Sequence, residues 1–486
     1  MSTSKQSVPL ERVGPSRSQR PLCVDLDGTL VKSDTLYDSL CVMMRQRPMA
    51  VLKLPGWLAG GKAKVKSELA RVAPLDAARL PYNQPLGQFL RDEQRAGRPL
   101  YLVTGADREL ADRVAAHVGL FTGTLGSDGT RNLTGSQKLD ALKQRFAEFD
   151  YIGNALVDLP LLAASIEPMV ANPTRALQMA MRRRRLEPVR VFRDQQSVLQ
   201  TLFKAVRIHQ WAKNVLVFVP LLLAHLFTRV NLLAVVACFF CFSFTASANY
   251  LVNDMLDVES DRHHATKRLR PFAAGDLSVL GGMGLVLLLL AAAAILLPVL
   301  PWRFAFWLGI YAAVTVSYSF WLKRVVLIDV LLLSGLYTLR MLAGGAATAT
   351  EISPWLASFS TFLFLSLAMV KRFSEIQNLR ERGLATTRGR GYLVADLEQI
   401  RSFGTSSGFV AVMVFTLYIS RPDVAVLYRH ATRLWLIVPL LLLWILRVWL
   451  KASRGELDDD PVIFALRDRM SQTIGVIVAL LALFAI

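Results

Sequence analysis

The stretch Asn253-Asp254-Met255-Leu256-Asp257-Val258-Glu259-Ser260-Asp261 interrupts two long apolar segments of the chain. Acidic side chains beside a membrane span are costly unless they have a partner, and a divalent cation is the usual partner of clustered carboxylates. Asp254, Asp257 and Asp261 are spaced i, i+3 and i+7, so a helix would present all three on one face. We therefore predict a Mg²⁺ site here, with Asn253 as a further ligand, at the water-facing end of a helical bundle.

Basic residues follow this stretch closely in the sequence. Lys267 and Arg270 could hold phosphate oxygens that the metal does not reach, because charged donors form strong hydrogen bonds with phosphate. The acids and the cations together predict a Mg²⁺-diphosphate site. The alternative interpretation is a solvated acidic loop between two helices, although a plain loop has little reason to keep this spacing.

The composition differs between two parts of the chain. Of 486 residues, 56 are Lys or Arg and 37 are Asp or Glu, which gives a net charge of +19. The basic residues mostly flank apolar segments, which indicates an anionic membrane leaflet and phosphorylated substrates rather than nucleic acid. Residues 1–20 are polar and lack the apolar core of a signal peptide, so we expect a disordered N-terminus. The four cysteines lie in apolar or helical patterns, which indicate neither disulfides nor a zinc site.

Polar residues end the short apolar strands in the first part of the chain. The strands predicted at 21–24 and 99–103 end at Asp25 and Thr104. Strands that end in polar residues and alternate with helical patterns are typical of a doubly wound α/β domain, whose site lies at the carboxyl ends of the strands. We assign this domain to residues 21–185.

The polar residues at these strand ends suit phosphoryl transfer. Asp25 can attack phosphorus as a nucleophile, and Asp27 can protonate the leaving oxygen. Thr104 and Lys138 can stabilise the transferring phosphoryl group, while Asp158 helps Asp25 to hold Mg²⁺.

This set of residues, in this order, resembles the haloacid dehalogenase superfamily of phosphatases over about residues 20–180. The resemblance implies an α/β domain with a small helical cap at about residues 36–85. The last motif of that family usually reads Gly-Asp, whereas this chain has Gly153-Asn154. Asn154 would be a neutral metal ligand, so the metal would be held by less charge. An active phosphatase and a degenerate, structural domain both remain open.

A basic linker at residues 186–209 joins the two parts of the chain. Within it, residues 198–208 have apolar side chains at helical spacing, with Lys204 and Arg207 between them. That pattern fits a helix that lies on the membrane surface. The alternative is a soluble amphipathic helix that packs on the first domain.

The second part of the chain, residues 210–486, is predicted to form an all-α membrane bundle. Lys and Arg are concentrated in the connections on the same side as the N-terminal domain, which predicts a cytosolic N-terminus and a multi-pass protein of the inner (plasma) membrane. We count nine apolar segments that could span a bilayer, at 211–228, 230–252, 279–300, 302–322, 325–347, 353–370, 406–420, 433–450 and 470–486.

Further ionisable residues lie inside these segments or at their ends. Arg340 falls within the fifth segment, where an unpaired guanidinium is costly, so we expect it to face an acid or an anionic ligand. For Lys323, a role in setting the topology is an alternative interpretation. We predict that Arg340 and Lys323 help to bind substrate phosphate, together with Lys213, Asp329, Lys371, Arg372, Glu375, Arg390 and Tyr392.

The nine segments and the motif Asn253-Asp254-x-x-Asp257-x-x-x-Asp261 resemble the UbiA superfamily of intramembrane prenyltransferases. In that family the first motif binds Mg²⁺ and a diphosphate. Most members carry a second Asp-rich motif after the sixth span, where this chain reads Lys371-Arg372-Phe373-Ser374-Glu375. Together with Arg207, Gln210-Trp211 and Lys213-Asn214, this departure is similar to the decaprenyl-phosphate phosphoribosyltransferase branch.

The resemblance, which covers about residues 200–486, implies a reaction. The donor would be phosphoribosyl diphosphate and the acceptor a polyprenyl phosphate in the lipid bilayer. The donor brings a second phosphate and the acceptor a third, so extra cations such as Lys371, Arg372 and Arg390 are expected. The lipid phosphate can attack the oxocarbenium-like ribose centre without a strong general base. The N-terminal domain could then remove the 5-phosphate of the product.

Two other functions remain open from the sequence. One is a prenyltransferase that moves a polyprenyl group from its diphosphate to an aromatic or other small acceptor. The other is a lipid-binding scaffold with decayed sites, against which the intact Asp254, Asp257 and Asp261 argue. A transporter is disfavoured because the charges gather at one membrane face. The sequence indicates no nucleic-acid partner and leaves the oligomeric state open.

Overall fold

The computed structural model describes residues 17–381, 383, 391–422, 424, 428–457 and 461–485, in two compact units. The first unit comprises Met1–Ala205 and Leu251–Gly284, and the second comprises Val206–Tyr250 and Leu285–Ile486. Residues 253–277, here called the Asp-rich segment, therefore belong to the same unit as the N-terminal domain. The predicted domain boundaries assign this segment to the membrane domain instead.

Six parallel strands form the sheet of the first unit. They are β1 Leu22–Val24, β2 Leu100–Asp107, β3 Gly123–Ser127, β4 Asp150–Gly153, β5 Pro168–Ala171 and β6 Arg190–Phe192. Their order in the sheet is β3-β2-β1-β4-β5-β6. The chain runs from β1 outward to β3 and then returns to the other side of β1, so the ends of β1 and β4 form a topological switch point. This topology confirms the predicted doubly wound α/β fold.

Helices connect these strands, and several begin at a side chain that caps free backbone N–H groups. Asp34, Asn83, Asp107 and Thr174 each accept a hydrogen bond of this kind. The helices are α1 Thr35–Gln46, α2 Leu54–Ala59, α3 Gly61–Val72, α4 Gln84–Arg95, α5 Arg108–Val118, α6 Ser136–Arg145, α7 Leu159–Ala164, α8 Arg175–Arg183 and α9 Val198–Val206. The first three of them occupy the region of the predicted helical cap.

The core of the N-terminal domain is built around the central strands. Cys23, Val103 and Tyr151 from the strands pack with Leu142 and Leu162 from the helices. Every residue of β1 is completely buried. A strand that is covered on both faces has a continuous apolar sequence rather than an alternating one, which explains why β1 could be predicted from a run of only a few residues.

Long apolar helices make up the rest of the chain. In chain order they are α10 Val219–Ala224, α11 Arg229–Leu256, α12 Val258–Arg262, α13 Val279–Leu296, α14 Trp302–Phe320, α15 Ile328–Ala347, α16 Pro354–Glu381, α17 Leu397–Ile419, α18 Ile437–Ser453, α19 Pro461–Arg467 and α20 Arg469–Ala485. Of these, α11 ends within the Asp-rich segment, α12 lies in it, and α13 begins just after it.

Six helices in the described part of the chain are long and apolar enough to cross a membrane, which supports a multi-pass membrane protein. They are Arg229–Leu256, Val279–Val299, Ile328–Ala347, Pro354–Glu381, Val394–Ile419 and Ala431–Ser453. Two further apolar helices, Ile208–Ala224 and Arg469–Ala485, are shorter. The prediction of nine spans is therefore not confirmed.

Two of the predicted span boundaries are wrong. The helix predicted at 353–370 continues to Glu381, and the one predicted at 406–420 already begins at Leu397. In the first case the helix continues beyond the apolar run. The polar residue Arg372 can lie in this part of the helix because it is buried against a partner, Asp329. An apolar run therefore underestimates the length of these helices.

A glycine allows one helix of the second unit to approach the backbone of another segment closely. A Cβ atom at Gly344, on α15, would lie 2.1 Å from the carbonyl oxygen of Val217. Because the obstacle is backbone, a side chain there cannot be accommodated by a change of rotamer. At Gly335, on the same helix, a Cβ atom would have nothing within 4 Å.

We predict that Gly344→Ala lowers the free energy of unfolding by about 1–3 kcal/mol, since it overpacks this contact. The measurement is thermal unfolding of the detergent-solubilised protein. Gly335→Ala is the matched control, and its midpoint should equal or exceed that of the wild type because Ala favours helix. Equal midpoints for the two variants would contradict the close contact.

Candidate functional site

The end of β1 carries a buried ion pair. Lys138 Nζ donates a hydrogen bond to Asp25 Oδ1 at 2.7 Å, and it lies 3.1 Å from the Tyr151 hydroxyl. The same ammonium group lies 3.8 Å from Asp158 Oδ1. The structure therefore brings together three of the residues predicted for phosphoryl transfer: Asp25 after β1, Lys138 on α6 and Asp158 on a 3₁₀ turn after β4.

Asp27 lies beside this pair and is held by the start of α1. Its Oδ1 accepts hydrogen bonds from the backbone N–H of Thr35 at 2.8 Å and from the Thr35 hydroxyl at 2.7 Å. Thr104 is also buried, and its hydroxyl oxygen accepts a hydrogen bond from the Ala106 N–H. Gly105 and Thr134 line a cavity that Asp25 and Asp27 also line.

Asp158 holds the backbone of the last motif, Gly153-Asn154, in place. Its Oδ2 accepts hydrogen bonds from the backbone N–H groups of Asn154 and Ala155, each at 3.1 Å. Its Oδ1 accepts one from the Tyr151 hydroxyl at 2.9 Å. The Asn154 side chain lies against Gly28, where a Cβ atom would be only 1.9 Å from its Nδ2 and where the backbone φ is +70°. Gly28 therefore leaves room for the amide that replaces the usual acid.

Burial changes the proton affinity of the two aspartates after β1. It raises the pKa of Asp25 to about 7, and the positive charge of Lys138 opposes this rise. Burial also raises the pKa of Asp27 to about 6, while the hydrogen bonds from Thr35 oppose it. A divalent cation would favour the charged forms of such buried carboxyl groups, so the donor set of Asp25, Asp158 and the Asn154 amide fits Mg²⁺.

These residues line a cavity of about 590 Å³ in the first unit. Lys32 and Lys66 add positive charge to its wall, and Lys66 Nζ donates to the carbonyl oxygen of Gly105 at 2.6 Å. Apolar side chains form another part of the wall, namely Val157, Val198, Leu202 and Leu277. The sequence reasoning missed Lys32 and Lys66 because each is one lysine among many, with no motif around it.

The Asp-rich segment is not one continuous helix. The helix α11 ends at Leu256 and α12 begins at Val258, so Asp257 lies at the break between them. Arg270 Nη1 lies between two of the acids, 3.1 Å from Asp254 Oδ1 and 2.7 Å from Asp261 Oδ2. The helical assignment is thus interrupted at Asp257, although backbone hydrogen bonds of helical spacing run from Asp257 N–H to Asn253 O and from Asp261 N–H to Asp257 O. Of the three carboxylates, Asp254 and Asp261 share Arg270 as a partner.

Asp257 has a different set of partners. Its Oδ1 lies 3.0 Å from Arg45 Nε, and its Oδ2 accepts a hydrogen bond from Asn253 Nδ2 at 3.0 Å. Among the described residues, no group of three or more His, Cys, Asp or Glu side chains is arranged to hold a metal. The predicted cation Lys267 is exposed on a short 3₁₀ turn.

Two carboxylates of the Asp-rich segment nevertheless fit a cation. Asp254 and Asp261 are both nearly buried, and both direct an oxygen at one charged N–H group of Arg270. Burial raises the pKa of Asp261 to about 6, and the charge of Arg270 opposes this rise. Paired carboxylate oxygens are the donors that Mg²⁺ prefers, so these two residues suit the metal that the resemblance implies.

In the second unit, Arg340 is buried among neutral groups. Its Nε donates to Asn214 Oδ1 at 2.8 Å, its Nη1 to the Leu336 carbonyl oxygen at 2.6 Å and its Nη2 to the Tyr311 hydroxyl at 3.1 Å. The guanidinium also lies 5.5 Å from the ring centroid of Tyr337. These partners include no carboxylate. Arg340 was expected to face either an acid or an anionic ligand, and no acid is among these partners.

A second cation lies against the same ring. Lys213 is buried, and its Nζ is 5.8 Å from the centroid of Tyr337. Lys213 and Arg340 thus bring two positive groups to one aromatic ring. Charged N–H groups form strong hydrogen bonds with phosphate oxygens, so this pair could bind a phosphate group.

A closed ionic network surrounds Arg372. Its Nε lies 2.5 Å from Asp329 Oδ2, its Nη1 lies 2.5 Å from Glu375 Oε2, and its Nη2 donates to the Tyr318 hydroxyl at 3.2 Å. The hydroxyl of Tyr392 also donates to Asp329. Four residues predicted for phosphate binding thus bind one another. Lys323 is half-buried on the short 3₁₀ turn Leu322–Arg324, Lys371 is half-buried within α16, and Arg390 lies outside the described residues.

We predict that Arg372→Met destabilises the protein by about 3–5 kcal/mol, because it leaves the carboxylate of Asp329 buried and unpaired. Thermal unfolding in detergent measures the effect. The double variant Arg372→Met with Asp329→Asn should recover much of the loss, and Arg401→Met, at an exposed ion pair, is the control. If Arg372→Met unfolds at the wild-type temperature, the network is not structural.

Comparison with known proteins identifies the family of the chain. Residues 215–470 match the UbiA prenyltransferase family. The chain belongs to this family. It is accordingly a transferase, and the Asp-rich segment is the part of this UbiA protein in which the resemblance places the metal and the diphosphate.

Two relatives show how far the similarity of this UbiA protein extends. An uncharacterized protein of Sinorhizobium fredii is 37% identical over 464 residues, which are 94% of this chain and 90% of that protein. The decaprenyl-phosphate phosphoribosyltransferase of Mycobacterium tuberculosis is 32% identical over 283 residues, 56% of this chain and 89% of that enzyme. The first alignment is long enough to include both the N-terminal domain and the membrane helices.

A solved structure also matches. It is a UbiA homolog from Archaeoglobus fulgidus bound to GPP and Mg²⁺, with 17% identity and a TM-score of 0.45. The match covers 59% of this chain and 98% of that chain.

Proposed function

We propose that this UbiA protein transfers the 5-phosphoribosyl group from phosphoribosyl diphosphate to a polyprenyl phosphate, with Mg²⁺ as cofactor. The observation that supports the proposal is that two buried cations, Lys213 and Arg340, lie 5.8 Å and 5.5 Å from the ring centroid of one tyrosine, Tyr337. A prenyl donor brings only a diphosphate. A phosphoribosyl donor brings a further phosphate, and a polyprenyl phosphate acceptor brings another. The similarity to the Mycobacterium tuberculosis phosphoribosyltransferase supports the same donor and acceptor.

The residues divide the work as follows. Asp254 and Asp261 would hold Mg²⁺, with Asp257 and Asn253 beside them, and the metal would neutralise the diphosphate as it leaves. Arg270 already lies between those carboxylates, so it can bind a diphosphate oxygen when the metal takes its place.

The transfer step needs little proton chemistry. The bond from the anomeric carbon of ribose to the diphosphate oxygen breaks, and pyrophosphate leaves with the electron pair. An anionic oxygen of the lipid phosphate forms the new bond to that carbon. Because the attacking oxygen is already charged, no general base is required. Lys213 and Arg340 bind a phosphate group of one of the two substrates and so orient it for attack.

We also propose that the N-terminal domain removes the 5-phosphate of the lipid-linked product. Asp25 attacks the phosphorus, and Asp27 gives its proton to the departing 5-oxygen. Water then hydrolyses the aspartyl phosphate, with Asp27 as the base that accepts its proton. Lys138 stabilises the phosphoryl group, and Asp25 and Asp158 would hold a Mg²⁺ ion that supplies further positive charge there.

The apolar wall of the cavity supports a lipid-linked substrate for this second step. Val198 and Leu202, on α9, line it together with the phosphate-handling residues. On the same helix Val198, Leu199 and Phe203 are exposed, while Thr201 and Ala205 are buried. A helix that exposes its apolar residues suits a membrane surface, which favours the predicted interfacial helix. We place this domain and both sites on the cytosolic side of the plasma membrane.

The transfer is tested with membranes that contain the protein, Mg²⁺, radiolabelled phosphoribosyl diphosphate and a polyprenyl phosphate. Label should enter the lipid phase, and chelation of Mg²⁺ should abolish it. Asp254→Asn should lower the rate by at least about tenfold, since it removes one of the carboxylates that bind the metal. Ser260→Ala, at an exposed position of the same segment, should keep the wild-type rate.

Two outcomes would contradict this proposal. One is the absence of lipid label together with turnover of a prenyl diphosphate and an aromatic acid, which would make the protein an ordinary prenyltransferase. The other is the absence of any turnover with either donor in a protein that still binds the lipid, which would make it a scaffold.

The phosphatase step is tested with the labelled lipid product. Asp25→Asn should still form the phosphoribosyl lipid. Its rate of 5-phosphate release should be lower than that of the wild type by at least about a hundredfold, because the amide is not a nucleophile. Asp92→Asn changes an exposed acid of the same domain and should release phosphate at the wild-type rate. Equal release by Asp25→Asn and wild type would show that the domain is not the phosphatase.

A further inference from the structure

Two ion pairs join α1 of the N-terminal domain to the Asp-rich segment. Asp38 Oδ2 lies 2.7 Å from Arg262 Nη2, and both side chains are only 2% exposed. Two helical turns further along, Arg45 Nε lies 3.0 Å from Asp257 Oδ1. Asp38 and Arg45 are seven residues apart and lie on the same face of the helix. The contact thus runs along one side of α1.

Further bonds make this contact an ordered interface. Arg262 Nε donates to the carbonyl oxygen of Ala273 at 3.2 Å, and Lys32 Nζ lies 3.0 Å from Asp276 Oδ1. At Gly275, with φ +73°, a Cβ atom would lie 2.7 Å from the Lys32 side chain. A residue other than glycine would therefore separate the two surfaces. Burial, charge pairing and close backbone approach all occur at the same place.

One of the two ion pairs reaches a residue of the proposed metal-diphosphate site. Asp257 receives Arg45 on one carboxylate oxygen and Asn253 on the other, so its orientation is fixed from both sides. Partners that orient a metal ligand change metal affinity without touching the metal, commonly by 10–100-fold. The guanidinium of Arg45 is held in turn by α1, which the buried pair of Asp38 and Arg262 anchors.

We infer that Arg45, from the N-terminal domain, is a positioning residue of the transferase site, where it holds Asp257 in the orientation that binds the metal and diphosphate. This inference rests on the proposed role of the Asp-rich segment. It gives the N-terminal domain a part in the transfer reaction that is separate from phosphate removal.

The inference is tested with full-length protein in detergent. Binding of Mn²⁺ in the presence of pyrophosphate is followed by electron paramagnetic resonance, and the Mg²⁺ concentration for half-maximal transfer is measured alongside. Arg45→Gln should raise both the Mn²⁺ dissociation constant and the half-maximal Mg²⁺ concentration about tenfold, with the rate at saturating Mg²⁺ largely kept. Arg45→Lys should recover part of the affinity. Arg47→Gln, at an exposed position next to the end of α1, should behave as wild type.

Asp257→Asn defines the metal site in the same measurements. If it weakens Mn²⁺ binding and Arg45→Gln does not, the positioning role is wrong while the proposed function stands. A loss of rate at every Mg²⁺ concentration in Arg45→Gln, with Mn²⁺ binding unchanged, would also overturn the positioning role, because that pattern indicates only a structural defect. If Asp257→Asn leaves metal binding and transfer unchanged, the positioning role also fails, and if Asp254→Asn leaves them unchanged as well, the proposed metal site itself fails.

Discussion

Compensation of buried charge is the constraint on which both units of this protein depend. Lys138 lies against Asp25, Arg262 against Asp38 and Arg372 against Asp329, and in each pair both side chains are almost completely buried. Removal of one partner from such a pair leaves a charge that neither water nor protein stabilises. Each pair therefore fixes segments that are far apart in sequence. The proposed ligand sites contain charges of a different kind, namely Arg340 with neutral hydrogen-bond partners and Arg270 between two carboxylates.

Local patterns were sufficient to predict much of the fold and part of the first site. A fully buried strand followed by Asp25 and Asp27 predicts a catalytic strand end, and the switch point of the sheet then brings Lys138 and Asp158 to the same place. The apolar helices were predicted in position but not in number. The predicted spans at 211–228 and 470–486 correspond to the shorter helices Ile208–Ala224 and Arg469–Ala485, and α14 is not among the six long apolar helices of the described residues. Hydropathy alone does not show how many residues of an apolar run are helical.

Other features could not be predicted, for physical reasons. The spacing of Asp254, Asp257 and Asp261 is the same whether the helix is continuous or interrupted, so the sequence could not show that one helix ends at Leu256 and the next begins at Val258. Nor could it show the partners of Arg262 and Arg45, since an ion pair across more than two hundred residues leaves no local periodicity. The sequence also shows Arg372 without showing that Asp329 and Glu375 contact it, so the ionic network around this arginine could not be predicted.

The helix α1 has a consequence for how this protein can be taken apart. Its first residue, Thr35, holds Asp27 of one candidate active site, and Arg45 near its last turn contacts Asp257 of the other. At about 1.5 Å per residue, its 12 residues extend for roughly 18 Å. The Asp-rich segment of the UbiA part therefore depends on contacts with α1 of the N-terminal domain. A membrane half expressed alone would lack Asp38 and Arg45, and its Asp-rich segment would have to find another surface against which to fold.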